Sequence, residues 1–437
     1  MIERITDRRN LNRAFRAVKR NGGAAGVDGV SVNALAGHLQ RQRSTLIEAM
    51  RAGRYQASAV RGVEIPKGEG KTRLLGIPTT TDRVVQQAVQ QVLGPVFEED
   101  FCAHSYGFRP GRNAHQALRH SLAQINAGYG HIVDIDLKSF FDEVDHATLL
   151  GLIHRKVKCK ETMALLRTFL RAPMLVEGRL RRRRKGVPQG SPLSPLLSNI
   201  LLNELDKELE RRGHRYMRYA DDFSIYVRSE RAARRVGNGI FRFLRDKLRL
   251  PINREKSGIR RPLNFQTLGH GFVSTYRKGA KGQYRLIAAQ KSWQRLKQKL
   301  KMLTRKTTPM SFDERKIEIN AVVRGWTNYF KMASIDGKLK KVDEWLRNRL
   351  RYCIWHDWKK PDRKRKNLIR LGVPPGTAYA YSRTRMGGWR VACSPILRTT
   401  ITVARLKRRG LLFLLEHYRS IRQSIEPPYT RPVRTVV

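Results

Sequence analysis

YMRYADDFSIYV, Tyr216 to Val227, reads as two short β-rich segments joined by a tight turn at Ala220-Asp221-Asp222. Before it, Ser191 to Arg211 opens with prolines and carries Leu193, Leu196, Leu197, Ile200 and Leu201 on one stripe, the pattern of an amphipathic helix. After it, Arg231 to Arg249 predicts another helix. Farther upstream, His131 to Leu137 is a β-rich run entering Lys138-Ser139-Phe140-Phe141-Asp142, and a helix is expected from about His146 to Lys158. The order strand, helix, hairpin, helix is that of a split βαβ, ferredoxin-like antiparallel sheet with helices on one face, within an α+β fold.

Two basic hairpins accompany this unit, one before it and one inserted within it. Arg61 to Pro78 alternates apolar and polar residues around Gly68-Glu69-Gly70 and carries Lys67, Lys71 and Arg73. Such a hairpin can grip phosphates, although a charged face of an edge strand has the same look. Pro173 to Val187 predicts a second hairpin turning at Glu177-Gly178. Its second strand would hold Arg179, Arg181, Arg182, Arg183, Arg184 and Lys185, and charge on both faces of a strand suits a nucleic-acid groove better than a packed sheet.

At the N-terminus, Leu11, Phe15 and Val18 predict a short helix capped by Asn10, followed by NGGAAGVDG from Asn21 to Gly29. That loop is too rich in glycine for a helix and is weak evidence for phosphate binding. Asp82 to Leu93 reads as helical. After about Gln290 the chain turns helical and basic, and Glu318 to Trp358 carries Trp326, Tyr329, Phe330, Trp345, Tyr352, Trp355 and Trp358, aromatics suited to a core more than to base stacking. The stretch KKPDRKRK reads as a linker or a phosphate-contacting turn, with Lys359, Lys360, Arg363, Lys364, Arg365 and Lys366 as candidate contacts. These shifts divide the chain into 1–130, 131–289, 290–358 and a basic C-terminal region, 359–437.

Charge bounds the function. In 437 residues, 89 Lys and Arg against 36 Asp and Glu give a formal net charge of +53, which requires a polyanionic partner; nucleic acid is the leading one. Cys102, Cys159, Cys353 and Cys393 have no short spacing, so neither a disulfide framework nor a zinc knuckle is expected. The longest apolar stretches, such as Leu411 to Leu415, fall far short of the roughly 20 residues of a membrane span. The expectation is a cytoplasmic protein, nucleoid-associated when acting on DNA, with no membrane partner and its oligomeric state open.

The acids suggest the chemistry. Nucleotidyl transfer needs an activated hydroxyl and a neutralised pyrophosphate, and two divalent cations about 3.5 to 4 Å apart can supply both. Mg²⁺ prefers oxygen ligands and keeps several waters, so two or three Asp side chains from neighbouring strands suffice. Asp136 at a strand end and Asp221-Asp222 in a turn fit that need. Adjacent acids project differently, which favours Asp221 as the stronger ligand. Alone, an Asp-Asp pair in a turn usually only caps it.

The motif series is decisive. IPKGEGKTRLLGIP (65–78), SYGFRPGRNAHQAL (105–118), DIDLKSFFDEVDH (134–146), GVPQGSPLSPLLSNILLNELD (186–206), RYADDFSIYV (218–227), LRLPINREKSGI (248–259) and RGWTNYF (324–330) follow NGGAAGVDG in order. This series resembles the reverse transcriptases encoded by group II introns, along essentially the whole chain. The resemblance implies a right-hand polymerase with fingers, a ferredoxin-like palm and an α-helical thumb or maturase domain. It implies an RNA-directed DNA polymerase that binds group II intron RNA, assists its splicing and copies it into cDNA, with primer strand, target DNA and deoxynucleoside triphosphates as partners.

By that resemblance, Asp136, Asp221 and Asp222 match the polymerase carboxylates for two Mg²⁺ ions, with Mn²⁺ a substitute and the Leu137 carbonyl a further ligand. Lys67 and Arg73 match residues that clasp the triphosphate, Phe141 a gate against the ribose 2′-hydroxyl, Gln189 the nucleotide pocket and Lys256 a lysine that protonates pyrophosphate. Gln189 capping a helix and Lys256 being solvated are the plainer readings. Phe265 to His270 is an imperfect primer-grip segment. Many relatives continue into a DNA-binding region and an HNH-type endonuclease with paired cysteines, whereas here only Cys393 lies beyond the thumb; the chain resembles the compact, endonuclease-lacking class often associated with IIC introns. A splicing-only RNA-binding maturase and a domesticated polymerase in repair or defence are the alternatives.

Overall fold

The computed structural model describes residues 1–68, 70–276 and 282–425, apart from the side chains at 67, 68, 71, 424 and 425. Glu69, at the tip of the first hairpin, and the Lys67 and Lys71 side chains therefore lie outside the described residues. The chain forms two compact units, Met1–Phe265 and Gln266–Val437.

The first unit holds β1 (Val60–Gly68), β2 (Lys71–Ile77), β3 (His131–Ile135), β4 (Met174–Val176), β5 (Arg179–Arg181), β6 (Arg215–Tyr219), β7 (Asp222–Val227) and β8 (Gly258–Arg260). One sheet runs β6-β7-β3-β8 with every neighbour antiparallel. Helices bridge β3 to β6 and β7 to β8, so the expected ferredoxin-like order is present. The second sheet, β2-β1-β4-β5, joins the two basic hairpins through a parallel β1–β4 contact at Val60–Met174. The β4–β5 turn puts Glu177 at φ 50° and Gly178 at φ 77°, the paired left-handed conformation that matches strand twist in a two-residue hairpin. β5 ends at Arg181, so Arg182 to Lys185 do not continue the strand as expected.

The Ser194–Arg211 helix starts with Pro195 in its first turn, where the missing N–H costs nothing, and buries Leu196, Leu197, Ile200, Leu201, Leu205 and Leu209 in the core of this unit. The first long helix, Arg8–Asn21, is capped by Asp7, whose carboxylate accepts from the Arg9 and Asn10 N–H groups. Asn10 is not the cap, because its amide is turned inward to donate to the Ile5 and Ala88 carbonyls.

The second unit opens with a β9 (Gln266–Thr267), β10 (His270–Ser274), β11 (Tyr284–Ala288) sheet and continues in helices Gln290–Leu303, Phe312–Tyr329 and Asp336–Asp357. Trp293, Leu296, Leu300 and Leu303 recur at helical spacing and build its core with Ile319, Val323, Leu346 and Leu350. A reciprocal Ser311–Glu314 capping box starts the second of these helices. Lys359 to Lys366 is neither linker nor turn: Pro361–Arg370 is a helix with Pro361 at its first position and Leu368 buried beneath it. Among the described residues no helix is long and apolar enough to cross a membrane.

Candidate active site

The β6–β7 connection is the shortest possible hairpin, with Tyr219 paired to Asp222 across the two residues Ala220 and Asp221. Ala220 adopts φ 57°, a left-handed conformation usually given to glycine. Tertiary contacts hold it there. The Arg218 guanidinium donates to the Ala220 carbonyl at 3.0 Å and to Asn199 Oδ1 at 2.9 Å, and forms a two-pronged pair with Asp206. Both side chains of that pair are completely buried, at 0% exposure. Asn199 in turn donates to the Gly107 carbonyl at 2.9 Å. A Cβ on Gly107 would stand 2.2 Å from the Ala220 nitrogen, so only glycine lets this loop lie against the turn.

Asp136 follows directly on β3. Its backbone N–H donates to Ser257 Oγ at 3.0 Å, and its carbonyl accepts from Asn253 N–H at 2.8 Å. The last β3–β7 pair is Ile135 with Phe223, so Asp136 and Asp222 leave adjacent strand ends. Lys256 Nζ lies 3.6 Å from Asp136 Oδ2. Leu137 is buried, bridged through its backbone to Ile252. Asp222 remains open to solvent at the rim, yet the surrounding protein, and then the charges of Asp221, Asp136 and Asp134, push its carboxyl up to about 6, with Lys256 pulling the other way. Asp134 is also raised, by burial above all, despite an Arg260 Nε contact of 2.8 Å.

Four carboxylates thus share a field that few protein cations offset, which suits hard divalent cations with oxygen ligands. No three of the described His, Cys, Asp and Glu side chains close a metal shell by themselves.

Arg73, Phe141 and Gln189, far apart in sequence, line one cavity of about 820 Å³. The glycine-rich loop joins them there: Gly22, Gly23 and Ala24 line the same cavity, held by Arg83, which donates to the Gly22 and Ala24 carbonyls at 3.3 and 2.7 Å. The aspartates are not among its lining residues. Lys67 lies on β1, with its side chain outside the described residues.

The arginine-rich hairpin is not one solvated run. Arg179, Arg181, Arg182 and Arg184 are exposed, but Lys185 pairs with Glu143 at 2.6 Å. The Arg183 guanidinium is enclosed near Asp142. In the second unit, Lys359, Lys360, Arg363 and Lys366 are exposed, whereas Lys364 packs over Trp355 at 4.5 Å and Arg365 over Tyr379 at 5.5 Å.

Arg218, Asp206 and Asn199 carry no local sequence signal: their roles come from contacts made twelve and nineteen positions apart.

Comparison with known proteins agrees with this geometry. Residues 65–272 match the family described as reverse transcriptase (RNA-dependent DNA polymerase), and residues 293–372 match the group II intron, maturase-specific domain. Protein YkfC of Escherichia coli is 32% identical over 332 residues, covering 66% of this chain and 86% of YkfC. The group II intron-encoded protein LtrA of Lactococcus lactis is 30% identical over 309 residues, covering 56% of this chain and 51% of LtrA, so the chain spans about half that relative. The retron Mx65 reverse transcriptase of Myxococcus xanthus is 31% identical over 208 residues, 45% of this chain and 47% of its own.

Proposed function

Because the chain belongs to the family of group II intron reverse transcriptases with a maturase-specific domain, we propose that it binds a group II intron RNA, assists its splicing and copies it into cDNA as the intron enters a DNA target. RNA-directed DNA polymerisation, with a dependence on divalent metal, is the activity that comes with membership. The observation that carries the reading is that Asp136 and Asp222 leave adjoining strand ends beside Asp221 in the turn, with the Asp222 carboxyl pushed up to about 6 by the surrounding protein and by the charges of Asp221, Asp136 and Asp134.

In this reading Asp136, Asp221 and Asp222, with the Leu137 carbonyl, would hold two Mg²⁺ ions, or Mn²⁺ in their place. Bound there, the ions would acidify the primer 3′-hydroxyl and offset the charge of the departing pyrophosphate. Lys67 and Arg73 clasp the triphosphate, and Gln189 lines the nucleotide pocket beside Phe141, whose ring excludes a ribose 2′-hydroxyl. Lys256, beside Asp136, donates the proton to pyrophosphate. The Arg218–Asp206 pair keeps the turn rigid while substrates exchange. Exposed cations of the arginine-rich hairpin and of the Pro361–Arg370 helix contact phosphates of the intron RNA, the primer strand or the target DNA, with work on DNA done at the nucleoid.

Asp221→Ala is expected to lower deoxynucleotide incorporation on a primed RNA template by about a thousandfold or more, with RNA affinity nearly intact. Incorporation at the wild-type rate would end the assignment. The match at residues 293–372 favours the intron role over a repair or defence polymerase, since it adds an intron-type domain to the polymerase region. Group II intron RNA domains flanking the reading frame would support it independently.

A further inference from the structure

In the second unit, Lys297, Gln298, Lys301, Trp345, Arg349 and Trp389 line an open cavity of about 510 Å³, a size common among ligand sites. It carries two indole rings and three cations, and no carboxylate lines it. Trp389 is 43% exposed and Trp345 half-buried, so both rings keep free surface.

The walls are held firmly. Arg349 donates to Thr304 Oγ1 at 2.6 Å and to the Thr304 carbonyl at 2.7 Å, which fixes its guanidinium 5.5 Å from the Trp345 ring centre. Trp389 meets Tyr352 edge-on at 5.9 Å. Its neighbour Gly388 permits that approach, since a Cβ there would lie 3.0 Å from the Tyr352 ring. Lys297 and Lys301 sit one turn apart on the Gln290–Leu303 helix, both exposed and neither with an ion-pair partner among the described residues.

We propose that this cavity binds one unpaired nucleotide of a single strand, its base stacked on the indole rings and its flanking phosphates on Lys297 and Lys301. Rigid aromatic faces beside uncompensated cations match the two halves of a nucleotide, a π-face and a phosphate. A base within a duplex has both faces covered by its neighbours and cannot enter. Trp389 lies beyond residues 293–372, so the pocket needs a residue outside the maturase-specific match. The inference rests on the nucleic-acid-binding reading above and adds to it a strand type and a place.

The test uses the full chain and a single-stranded RNA decamer carrying 2-aminopurine. Binding is expected to quench the fluorophore, and Trp389→Ala is expected to weaken affinity about 5- to 100-fold, the range for one stacked base. Trp389→Phe should recover most of the loss, which separates stacking from misfolding. Replacing Lys297 and Lys301 together by Gln should reduce the salt slope by about 1.4, at roughly 0.7 per phosphate on a single strand. The same RNA as a duplex should be affected less than twofold by Trp389→Ala. Equal loss on single-stranded DNA assigns the pocket to any unpaired strand, and loss on RNA alone to a ribose-bearing one; both uphold it. An unchanged affinity in Trp389→Ala, equal loss on duplex, or displacement by poly-glutamate as efficient as by polyadenylate would overturn it. If the wild-type chain binds no RNA at any salt, the intron reading falls too; if it binds and only the Trp389 effect is missing, the pocket alone falls.

Discussion

The β6–β7 turn and the Pro361–Arg370 helix both concentrate charge, and they hold it in opposite ways. At the turn, a half-buried Asp221 and an exposed Asp222 stand on a backbone fixed from beneath by a guanidinium and a carboxylate with no solvent access. On the helix and just before it, Lys359, Lys360, Arg363 and Lys366 point into water without ion-pair partners among the described residues, whereas Lys364 and Arg365 are steadied by aromatic faces. A buried pair gains little over a well-packed apolar one, but losing one partner strands a charge. Surface cations act through their sum. The first region should therefore fail abruptly and the second by increments.

The sharpest break in that comparison is Asp206→Ala, which leaves Arg218 buried and uncompensated and is expected to destabilise the first unit by about 3 to 5 kcal/mol in denaturant unfolding. The double replacement Asp206→Leu with Arg218→Met should recover most of that stability. Polymerisation should nevertheless stay down about 100-fold, because the bonds to the Ala220 carbonyl and to Asn199 are gone and the aspartates lose their position. Should the double variant regain full activity, the pair would be filler and the turn would hold its shape unaided.

A smaller effect tests whether burial under the same sheet is felt in solution. His120 stacks on His104 at 4.3 Å and donates through Nε2 to the Tyr216 carbonyl on β6. Burial first, then the neighbouring His104 and Arg215, depress it to about 4, well under the ordinary imidazole value near 6.5. The folded state then binds fewer protons than the unfolded one, so its stability is full above about 6.5. It should drop as pH falls towards 4, by about 2 kcal/mol after allowing for partial exposure. His120→Gln should flatten that stretch of the pH–stability curve; an unchanged slope would mean that the imidazole is hydrated in the fold.

The comparison also explains what could be read from the sequence. Both hairpins and the ferredoxin-like order were legible because strand alternation and turn residues such as Glu177-Gly178 act locally. The three aspartates stood out as members of a motif series, not by their own chemistry, since the turn alone has an ordinary look. Arg218 and Asp206 were not, because one arginine among 89 Lys and Arg residues gives no sign of lying at 0% exposure. What singles it out is a contact made twelve positions away. Asn10 misled for a similar reason: a good capping residue was drawn inward by two carbonyls, and Asp7 took the cap. The run from Lys359 to Lys366 looked uniform, whereas the fold divides it by a helical turn into exposed and aromatic-packed cations.

That division supplies the smallest and most graded effect. Lys359, Lys360, Arg363 and Lys366 are the exposed members, so replacing all four by Gln should leave the helix folded. If each neutralises one phosphate of a bound strand, the slope of log affinity against log salt should become shallower by up to about 3, at roughly 0.7 per contact on a single strand, with single replacements giving proportionate shares. Replacing Lys364 and Arg365 instead should barely move the slope and should cost stability, because their side chains cover Trp355 and Tyr379. Salt titrations of RNA binding by the two variants, run beside their unfolding curves, separate these outcomes. Equal slopes in both would mean that the helix face does not meet the strand, and the incremental half of the comparison would have to be sought on the arginine-rich hairpin.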